Sequence, residues 1–470
     1  MTLYSIIPAF GDALSTVIAF VIALSIIVAI HEYGHYIVGR WSGIEADVFS
    51  IGFGPVLFSR IDSRGTRWQI AALPLGGYVK FRGDADAASS KDVQALQTTD
   101  PVELRKTMHG APVGARMATV VAGPVFNFIL SILIFFGVFM MQGVPSDPLT
   151  VGRLLPNPAP QGLQLGDEIL GIEGASLPSF TDGVAFYGFL TALPDKASLT
   201  YEVRRAGMEI QVQGPHPYPA HITQLAPQSA AYAIDMKVGD VITAVDGMAV
   251  FSFNQLKGHV ENSNGKVLKL DVWRGGEQLQ FSLTPRRVDE PGPDNTFATQ
   301  WRIGIVGGEV FEPATQAPGI WQAFSASVKR TLRIIEGSLS GMYHMITGAI
   351  SSCNLSGPIG IAQVSGAMAS QGGQSFIIFI AVLSTAIGML NLFPIPPLDG
   401  GQLLFFSYEA ITGRPANESL VRFLMMAGLA SILALMVFGV SNDLLCPEIR
   451  EAERLNFIMF DTKKANYWKV

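Results

Sequence analysis

The stretch AIHEYGHYIVGR, residues 29–40, closes an almost wholly apolar run of the sequence. The run covers residues 13–36 and contains no Lys, Arg or Asp, yet it ends with three other ionisable side chains, His31, Glu32 and His35. Ionisable groups inside a membrane span are costly to bury, so they mark a functional site by default. The stretch therefore predicts a membrane helix that carries a chemical site at its end.

His31 and His35 are separated by one helical turn. Residues i and i+4 lie on the same face of a helix, so the two imidazoles can bind one metal ion. Glu32 lies beside them and can take a proton from a water molecule on that metal. This is the H-E-x-x-H pattern, which supplies two zinc ligands and a general base. The alternative, a pair of hydrogen-bonded helix histidines, leaves three ionisable groups on one turn of a span unexplained.

The composition indicates a membrane protein of several units. Hydrophobic residues make up 49% of the 470 residues and charged residues only 15%, whereas soluble domains carry about 25% charge. The length predicts roughly two to four units. A net charge of −6 and the lack of a basic cluster give no case for nucleic acid. Two cysteines, Cys353 and Cys446, exclude a thiolate cage, although they can pair on an oxidising side of the membrane.

Four segments are apolar enough to cross a bilayer, which takes about 20 residues. They are residues 13–36, 117–142, 375–393 and 423–440. Basic residues set the orientation, because they favour the cytoplasmic side. Residues 1–12 contain no Lys or Arg, and residues 40–116 contain ten. The sequence therefore predicts an external N-terminus, a cytoplasmic loop after the first span, and a large external region between the second and third spans.

The external region contains an internal repeat. LQLGDEILGIEG, residues 163–174, matches MKVGDVITAVDG, residues 236–247, at an offset of 73. Each copy alternates apolar and polar residues and then turns at an acidic residue followed by Gly, which predicts a strand and a tight turn. The pattern resembles PDZ domains of bacterial envelope proteases, and PDZ domains bind extended peptides by strand addition. A pair of β domains that acts only as a spacer or a steric filter is the alternative.

A helix is predicted after the repeats. Apolar residues recur there at spacings of three and four, which places them on one helix face. They are Trp321, Phe324, Val328, Leu332, Ile335, Leu339 and Met342. Such a helix can lie on the outer membrane surface. In the alternative, its apolar face packs against one of the β domains.

The third metal ligand is predicted to be Asp399. A catalytic zinc site takes three protein ligands and keeps one position open, and no further histidine is well placed. Asp399 is the first formal charge after Glu336 and lies at the inner end of the third span. The first and third spans run in the same direction, so Asp399 reaches a depth similar to that of His31 and His35. The orientation rests on basic residues alone, which makes this agreement independent support.

Three prolines, Pro394, Pro396 and Pro397, precede Asp399. Proline removes a backbone donor and prevents a regular helix. Non-helical backbone at membrane depth is tolerated only where protein or a water-filled cavity satisfies it. We therefore expect an unwound segment next to the metal, with free backbone groups that can hold an extended substrate.

Two motifs together resemble those of the site-2 protease family of intramembrane zinc metalloproteases. They are HEYGH, residues 31–35, and NLFPIPPLDG, residues 391–400, and the resemblance covers about residues 10–442. A tandem PDZ insert between the second and third spans is similar to that of bacterial members of the family.

The resemblance implies a ligand set and a base. His31, His35 and Asp399 would ligate Zn²⁺, and Glu32 would be the general base. Structural zinc is usually closed by four protein ligands. A site of three ligands beside a glutamate therefore favours hydrolysis over a structural role.

The resemblance also implies contacts with substrate. Asn391, Pro394 and Pro396 would belong to the segment that engages substrate. Asn127, in AGPVFNF on the second span, matches a family asparagine near the site. A polar contact between helices is the alternative for Asn127.

The segment SIGFG, residues 50–54, lies in the family's membrane-associated β region after the first span. Gly52 and Gly54 would let another backbone approach, so that substrate can add as a strand. A plain turn is the alternative.

The predicted fold class is a mixed membrane protein with a four-helix transmembrane metalloprotease core, a membrane-associated β region and two tandem PDZ domains. The resemblance implies intramembrane endoproteolysis of single-pass membrane proteins already trimmed on the periplasmic side, such as anti-sigma factors or signal-peptide remnants. The PDZ domains would filter substrates from the periplasm, and the active site would lie near the cytoplasmic side of the bacterial inner membrane. The alternatives are a PDZ membrane scaffold with structural zinc and, last, a metal transporter.

The predicted domain boundaries follow the spans and repeats. They are 1–40 for the first span, 41–116 for the loop with the β region, 117–145 for the second span, 146–217 and 218–290 for the PDZ domains, 291–372 for the linker and surface helix, 373–402 for the third span, 403–443 for the loop and fourth span, and 444–470 for the tail. The tail matches no pattern of known purpose.

Overall fold

The computed structural model describes residues 6–85, 100–180, 183–226, 229–291 and 297–446. Most of the predicted tail, from residue 447 onward, therefore lies outside the described residues. The chain divides into two units. The helical unit comprises Met1–Phe135, Thr331–Ile335 and Gly357–Ser441, and the β unit comprises Phe136–Arg330, Glu336–Ser356 and Asn442–Val470.

The described residues form eleven α-helices and eighteen strands. The helices are α1 (Ile6–Trp41), α2 (Pro101–Arg105), α3 (Val113–Gln142), α4 (Gly183–Ala192), α5 (Ala230–Ala233), α6 (Phe253–Asn262), α7 (Ile320–Ile346), α8 (Pro358–Ser370), α9 (Gly373–Asn391), α10 (Asp399–Thr412) and α11 (Glu418–Leu445). The first nine strands are β1 (Ala46–Ile61), β2 (Arg67–Phe81), β3 (Val144–Pro145), β4 (Val151–Leu154), β5 (Glu168–Ile172), β6 (Ala175–Ser176), β7 (Leu199–Arg205), β8 (Met208–Gly214) and β9 (His221–Leu225). The others are β10 (Val241–Val245), β11 (Met248–Ala249), β12 (Leu268–Arg274), β13 (Glu277–Leu283), β14 (Arg286–Pro291), β15 (Phe297–Arg302), β16 (Ile305–Gly308), β17 (Phe311–Pro313) and β18 (Thr315–Gln316).

The four predicted spans are confirmed as long apolar helices. The helices long and apolar enough to cross a membrane are Ala13–Trp41 within α1, then α3, α9 and α11. A stretch of about 20 apolar residues forms a helix in lipid because only a helix satisfies its own backbone hydrogen bonds. The third span ends where the prolines begin, as expected from their lack of a backbone donor.

The two long strands β1 and β2 fold back on themselves in the helical unit. Residues 67–70 pair on one side with residues 58–61 and on the other side with residues 48–51. Residues 46–51 pair in turn with residues 77–81. The last of these segments, Gly77–Phe81, is therefore an edge of the sheet, and no other strand in the described chain pairs with it.

Two modules in the β unit correspond to the sequence repeat. Module 1 contains α4 and a sheet of order β6-β5-β7-β8, and module 2 contains α6 and a sheet of order β13-β12-β10-β9-β16 with β11 beside β10. The predicted acidic-Gly turns join β5 to β6 and β10 to β11. Their acidic residues, Glu173 and Asp246, have φ angles of 54° and 51°. The strands and turns lie where the sequence predicted them, and the division into two PDZ domains stays a prediction.

The repeated Gly-Asp dipeptides have the same contact in both modules. Asp167 accepts hydrogen bonds of 2.7 Å from Nε and Nη2 of Arg205. Asp240 accepts bonds of 2.7 and 2.8 Å from the same atoms of Arg274. Both carboxylates are fully buried, and a buried charge is tolerated when it is paired and hydrogen-bonded. The repeat therefore preserves a structural ion pair in each copy.

A connecting segment, residues 305–316, completes the strands of both modules. Its first strand, β16, pairs with β9 of module 2. Its second strand, β17, pairs with β4, which precedes the sheet of module 1 in the chain and packs into the same hydrophobic core. Its third, β18, pairs with β3, directly after the second span.

The helix predicted after the repeats is confirmed as α7, and its apolar face is exposed at four of the seven predicted positions and half-buried at the other three. Trp321 and Leu339 are exposed, while the buried positions include the small residues Ala323 and Ser327. The alternative in which the apolar face packs against a module is therefore wrong for these residues.

Cys353 and Cys446 form a disulfide within the β unit. The amide of Asn442 donates a 2.8 Å hydrogen bond to the carbonyl of Ser352 at the same place. The sequence allowed this pairing without predicting it, and the disulfide fastens the end of α11 to the segment that follows α7.

Candidate metal centre

The three predicted metal ligands converge in the helical unit. The Nε2 atoms of His31 and His35 are 3.1 Å apart. The two carboxylate oxygens of Asp399 lie 3.1 Å from the His31 Nε2 and 3.5 Å from the His35 Nε2. One ligand atom from each residue fits within 4.8 Å of the others. Helix α1 supplies two donors through its i, i+4 spacing, and α10 supplies the third at its first residue.

The donor set fits a zinc ion. Asp399 Oδ2 is buried and has no well-formed hydrogen bond among the described residues, despite its nearness to His31. Two imidazole nitrogens and one carboxylate oxygen that point at a common centre are the ligands of a catalytic zinc site. A divalent cation would satisfy all three groups at once.

Helix α3 orients both histidine rings. Nδ1 of His35 lies 2.9 Å from the carbonyl oxygen of Thr119. A ring that donates from Nδ1 to a carbonyl leaves Nε2 free to bind a metal. Nδ1 of His31 lies 3.2 Å from the amide nitrogen of Asn127, whose own Oδ1 is buried without a partner among the described residues. A 180° turn of this amide would place Oδ1 against the protonated Nδ1, and the two orientations are nearly indistinguishable by shape.

The close approach of α3 to these rings requires glycine. A Cβ at Gly123 would lie 2.5 Å from Cε1 of His35 and 2.8 Å from Cε1 of His31. A Cβ at Gly34 of α1 would lie 2.6 Å from the carbonyl oxygen of Ala122. Sequence reasoning missed Gly123, although it lies one turn before Asn127 and so on the same helix face.

Glu32 lines a cavity of about 220 Å³ next to the ligands. The cavity is also lined by His31, His35, Gly77, Tyr78, Val79, Phe81, Met108, Thr119, Val120, Pro397, Asp399 and Gln402. Such a volume has room for several water molecules. The edge segment Gly77–Phe81 therefore borders the cavity, which no sequence pattern indicated.

The proline-rich segment 392–398 is non-helical and connects α9 to α10. Pro394 and Pro396 lie in it, as predicted. A Cβ at Gly401 would lie 2.6 Å from the Pro396 nitrogen, so the start of α10 packs directly on the backbone of this segment. Asn391, the last residue of α9, places its amide nitrogen 3.5 Å from Nε2 of His31.

Gly52 and Gly54 do not line the cavity. Both have positive φ, 90° and 86°, within the folded strand β1. A Cβ at Gly52 would lie 2.8 Å from the carbonyl oxygen of Leu73 and 2.9 Å from that of Ala71. The structure thus brings together Glu32, the three ligands, Asn127 and Asn391, and leaves these two glycines within the sheet.

A comparison with known families matches residues 19–435 to the model described as Peptidase family M50. The chain belongs to this family. M50 peptidases are the site-2 proteases, which are zinc-dependent and act on membrane proteins in the lipid bilayer, so the chain is a zinc metalloendopeptidase of this type.

Two similar proteins cover almost the whole chain. "Putative zinc metalloprotease Atu1380" of Agrobacterium fabrum is 33% identical over 449 residues, which are 94% of this chain and 98% of that protein. "Regulator of sigma-E protease RseP" of Salmonella typhimurium is 31% identical over 454 residues, 90% of this chain and 97% of that protein. The family resemblance expected from the two motifs is confirmed.

Proposed function

We propose that this M50 peptidase cuts single-pass membrane proteins within the bilayer, with His31, His35 and Asp399 as zinc ligands and Glu32 as general base. The observation that carries the proposal is the convergence of the three ligands beside a cavity that Glu32 lines. The cluster has three members among the described residues. A structural zinc, as in the scaffold alternative, usually has four.

The side chains around the cavity divide the work of peptide hydrolysis. Zinc, when bound, supplies Lewis acidity that polarises the scissile carbonyl and acidifies the attacking water. Glu32 accepts the proton of that water and returns it to the leaving amine. The Thr119 carbonyl and Asn127 hold the two histidine rings in the tautomer that presents Nε2.

An extended substrate pairs with the edge segment Gly77–Phe81. A helical peptide bond is enclosed by its own hydrogen bonds, so a substrate helix must unwind before it is cut. No other strand in the described chain pairs with this edge segment beside the cavity, and strand addition would hold the unwound chain. Asn391, Pro394 and Pro396 would hold it on the other side. This edge replaces Gly52, where the Ala71 and Leu73 carbonyls already occupy the approach.

The relative named regulator of sigma-E protease suggests the substrate class. We place anti-sigma factors and signal-peptide remnants, already trimmed on the periplasmic side, in this role. The modules would lie in the periplasm as PDZ-type filters against untrimmed proteins, and the active site would lie near the cytoplasmic side of the inner membrane. If substrates with intact external domains are cut as fast as trimmed ones, the modules are not a filter.

The test compares wild type, Glu32→Gln and a matched control, Glu336→Gln, whose side chain is exposed. Each protein is purified in detergent, its zinc content is measured, and a trimmed single-pass substrate is added. We expect Glu32→Gln to retain zinc and lose at least ~10²-fold in cleavage rate, and Glu336→Gln to match wild type. Cleavage by Glu32→Gln at the wild-type rate would reject Glu32 as the base. Zinc binding without cleavage of any of several trimmed substrates by wild type would favour the scaffold.

A further inference from the structure

Helix α3 contacts both histidine ligands and also holds the helix that carries the third ligand. Its residues Arg116, Thr119, Gly123 and Asn127 recur at spacings of three and four, so they lie on one face. Thr119 and Asn127 contact the two histidines, and Gly123 gives the rings room. Arg116 instead reaches α10.

The contact of Arg116 with α10 is a two-point ion pair between the buried Arg116 and the half-buried Glu409. Nη1 and Nη2 of Arg116 donate to the two carboxylate oxygens of Glu409 over 3.1 and 2.6 Å. Nε donates to the carbonyl oxygen of Ala111 over 3.0 Å, and the guanidinium lies 4.9 Å from the centre of the Phe406 ring. Arg116 is 8% exposed. A planar guanidinium that donates two hydrogen bonds to one carboxylate and stacks on an aromatic ring is fixed in both position and orientation.

The position of Asp399 depends on the Arg116–Glu409 contact more than the positions of the two histidines do. His31 and His35 are both on α1, so their separation is set by helix geometry. Asp399 begins α10 after the non-helical segment 392–398, and continuity with α9 therefore does not set its position. Glu409 lies ten residues further along the same helix, or about 15 Å. A shift or tilt of α10 at Glu409 would carry Asp399 with it.

We infer that Arg116 and Glu409 are positioning residues, which set the Asp399 carboxylate against the two imidazoles. The inference rests on the proposed metal centre. A buried ion pair is weak grounds for stability, because desolvation offsets much of the attraction. We infer a geometric role instead: through this pair α3 fixes the position of α10, as it already fixes the two histidine rings, so one helix positions all three ligands.

The experiment uses Arg116→Gln, Glu409→Gln and the double variant in the full chain. Zinc affinity is measured by chelator competition, and ligand geometry by the visible spectrum of the Co²⁺-substituted protein. Each single variant leaves one buried charge unpaired, and we expect at least ~10-fold weaker zinc binding with an altered Co²⁺ spectrum. The double variant pairs two neutral amides, so both readouts recover toward wild type. Against a trimmed substrate, kcat falls in the single variants and KM stays unchanged.

The matched control is the Arg302–Glu290 pair of the β unit. It is also a two-point pair, with a 2.6 Å bond from Nε of Arg302, and the side chains are 15% and 19% exposed. Arg302 has a second partner, Glu261, at 2.8 Å. Arg302→Gln with Glu290→Gln should leave zinc affinity unchanged. Should Arg116→Gln not fold, Arg116→Lys keeps the charge but loses the two-point contact, and its zinc affinity is measured in the same way.

Wild-type zinc affinity and Co²⁺ spectra in the single variants, with a lower unfolding temperature, would overturn the inference and make the pair purely stabilising. The failure of the proposed function is a separate result. In that case wild type itself binds no zinc, or binds zinc and cuts nothing.

Discussion

Gly123→Ala tests whether the approach of α3 to the ligands is as close as described. The new methyl group would lie 2.5 Å from Cε1 of His35 and 2.8 Å from Cε1 of His31, where ordinary contacts are 3.4–4 Å. Either the rings or α3 must retreat by about 1 Å. Both rings are hydrogen-bonded to α3 itself, through Thr119 and Asn127, so a retreat also stretches those bonds.

A displacement of about 1 Å at a catalytic group costs roughly 10²-fold in rate, which corresponds to about 2.7 kcal/mol of transition-state stabilisation. The stretched contacts of Thr119 and Asn127 should also weaken zinc binding by ~10-fold or more. We therefore expect Gly123→Ala to lose both activity and metal affinity, and to lose them together.

The assay measures kcat/KM on a trimmed single-pass substrate and zinc affinity by chelator competition. Gly137→Ala is the control, because it adds the same methyl group to the same helix at a point where no other part of the described structure comes within 4 Å. It should keep full activity and favour the helix by up to ~1 kcal/mol. If Gly123→Ala cleaves within about threefold of the control, the argument from steric contact is refuted, since the ~10²-fold effect would be absent.

Two further predictions concern other parts of the chain. In Gly428→Ala, a methyl group on α11 would lie 2.5 Å from the carbonyl carbon of Pro396. The segment 392–398 must then move, and the cleavage rate should fall ~10-fold or more. An unchanged rate in the same assay would show that this segment can shift without loss of activity. In the β unit, burial lowers the pKa of His216 and His221 from the usual 6.5. Below pH 6.5 the unfolded chain therefore binds more protons than the folded one, and stability falls as the pH drops. Thermal unfolding between pH 8 and pH 5 should show this slope, and the double variant His216→Gln, His221→Gln should flatten it.

The convergence of His31, His35 and Asp399 was predictable in two steps. The spacing of His31 and His35 fixes their relation within one helix, and the long charge-free stretch before Asp399, with the parallel direction of the first and third spans, points to Asp399 as the partner at similar depth. The repeat was equally visible, because each copy carries its own turn and its own buried aspartate. The prolines predicted a broken helix from the chemistry of one residue type. For the repeat and the prolines, the sequence contains the physical cause within a few residues.

The remaining features depend on partners far apart in the chain. The sequence pointed to Gly52 and Gly54 as a place where substrate could add as a strand. It could not say which segment of the sheet becomes an edge beside the cavity, and the structure places Gly77–Phe81 there. Arg116 and Glu409 are 293 residues apart, and the sequence around either residue does not indicate that the other is its partner. The apolar spacing of α7 indicated one helix face, but it could not say whether that face is exposed or packs against another part of the protein.

The connecting segment 305–316 bears on how the two modules can be dissected. Its strand β17 follows module 2 in the chain but pairs with β4, which precedes the sheet of module 1. A truncation that stops after the second repeat would therefore leave β4 with a bare edge, and bare edges invite aggregation. Excising the first repeat would in turn remove β4 and leave β17 without its partner strand. Neither copy is therefore self-contained, and the phenotype of either deletion would include the loss of the β4–β17 strand pair.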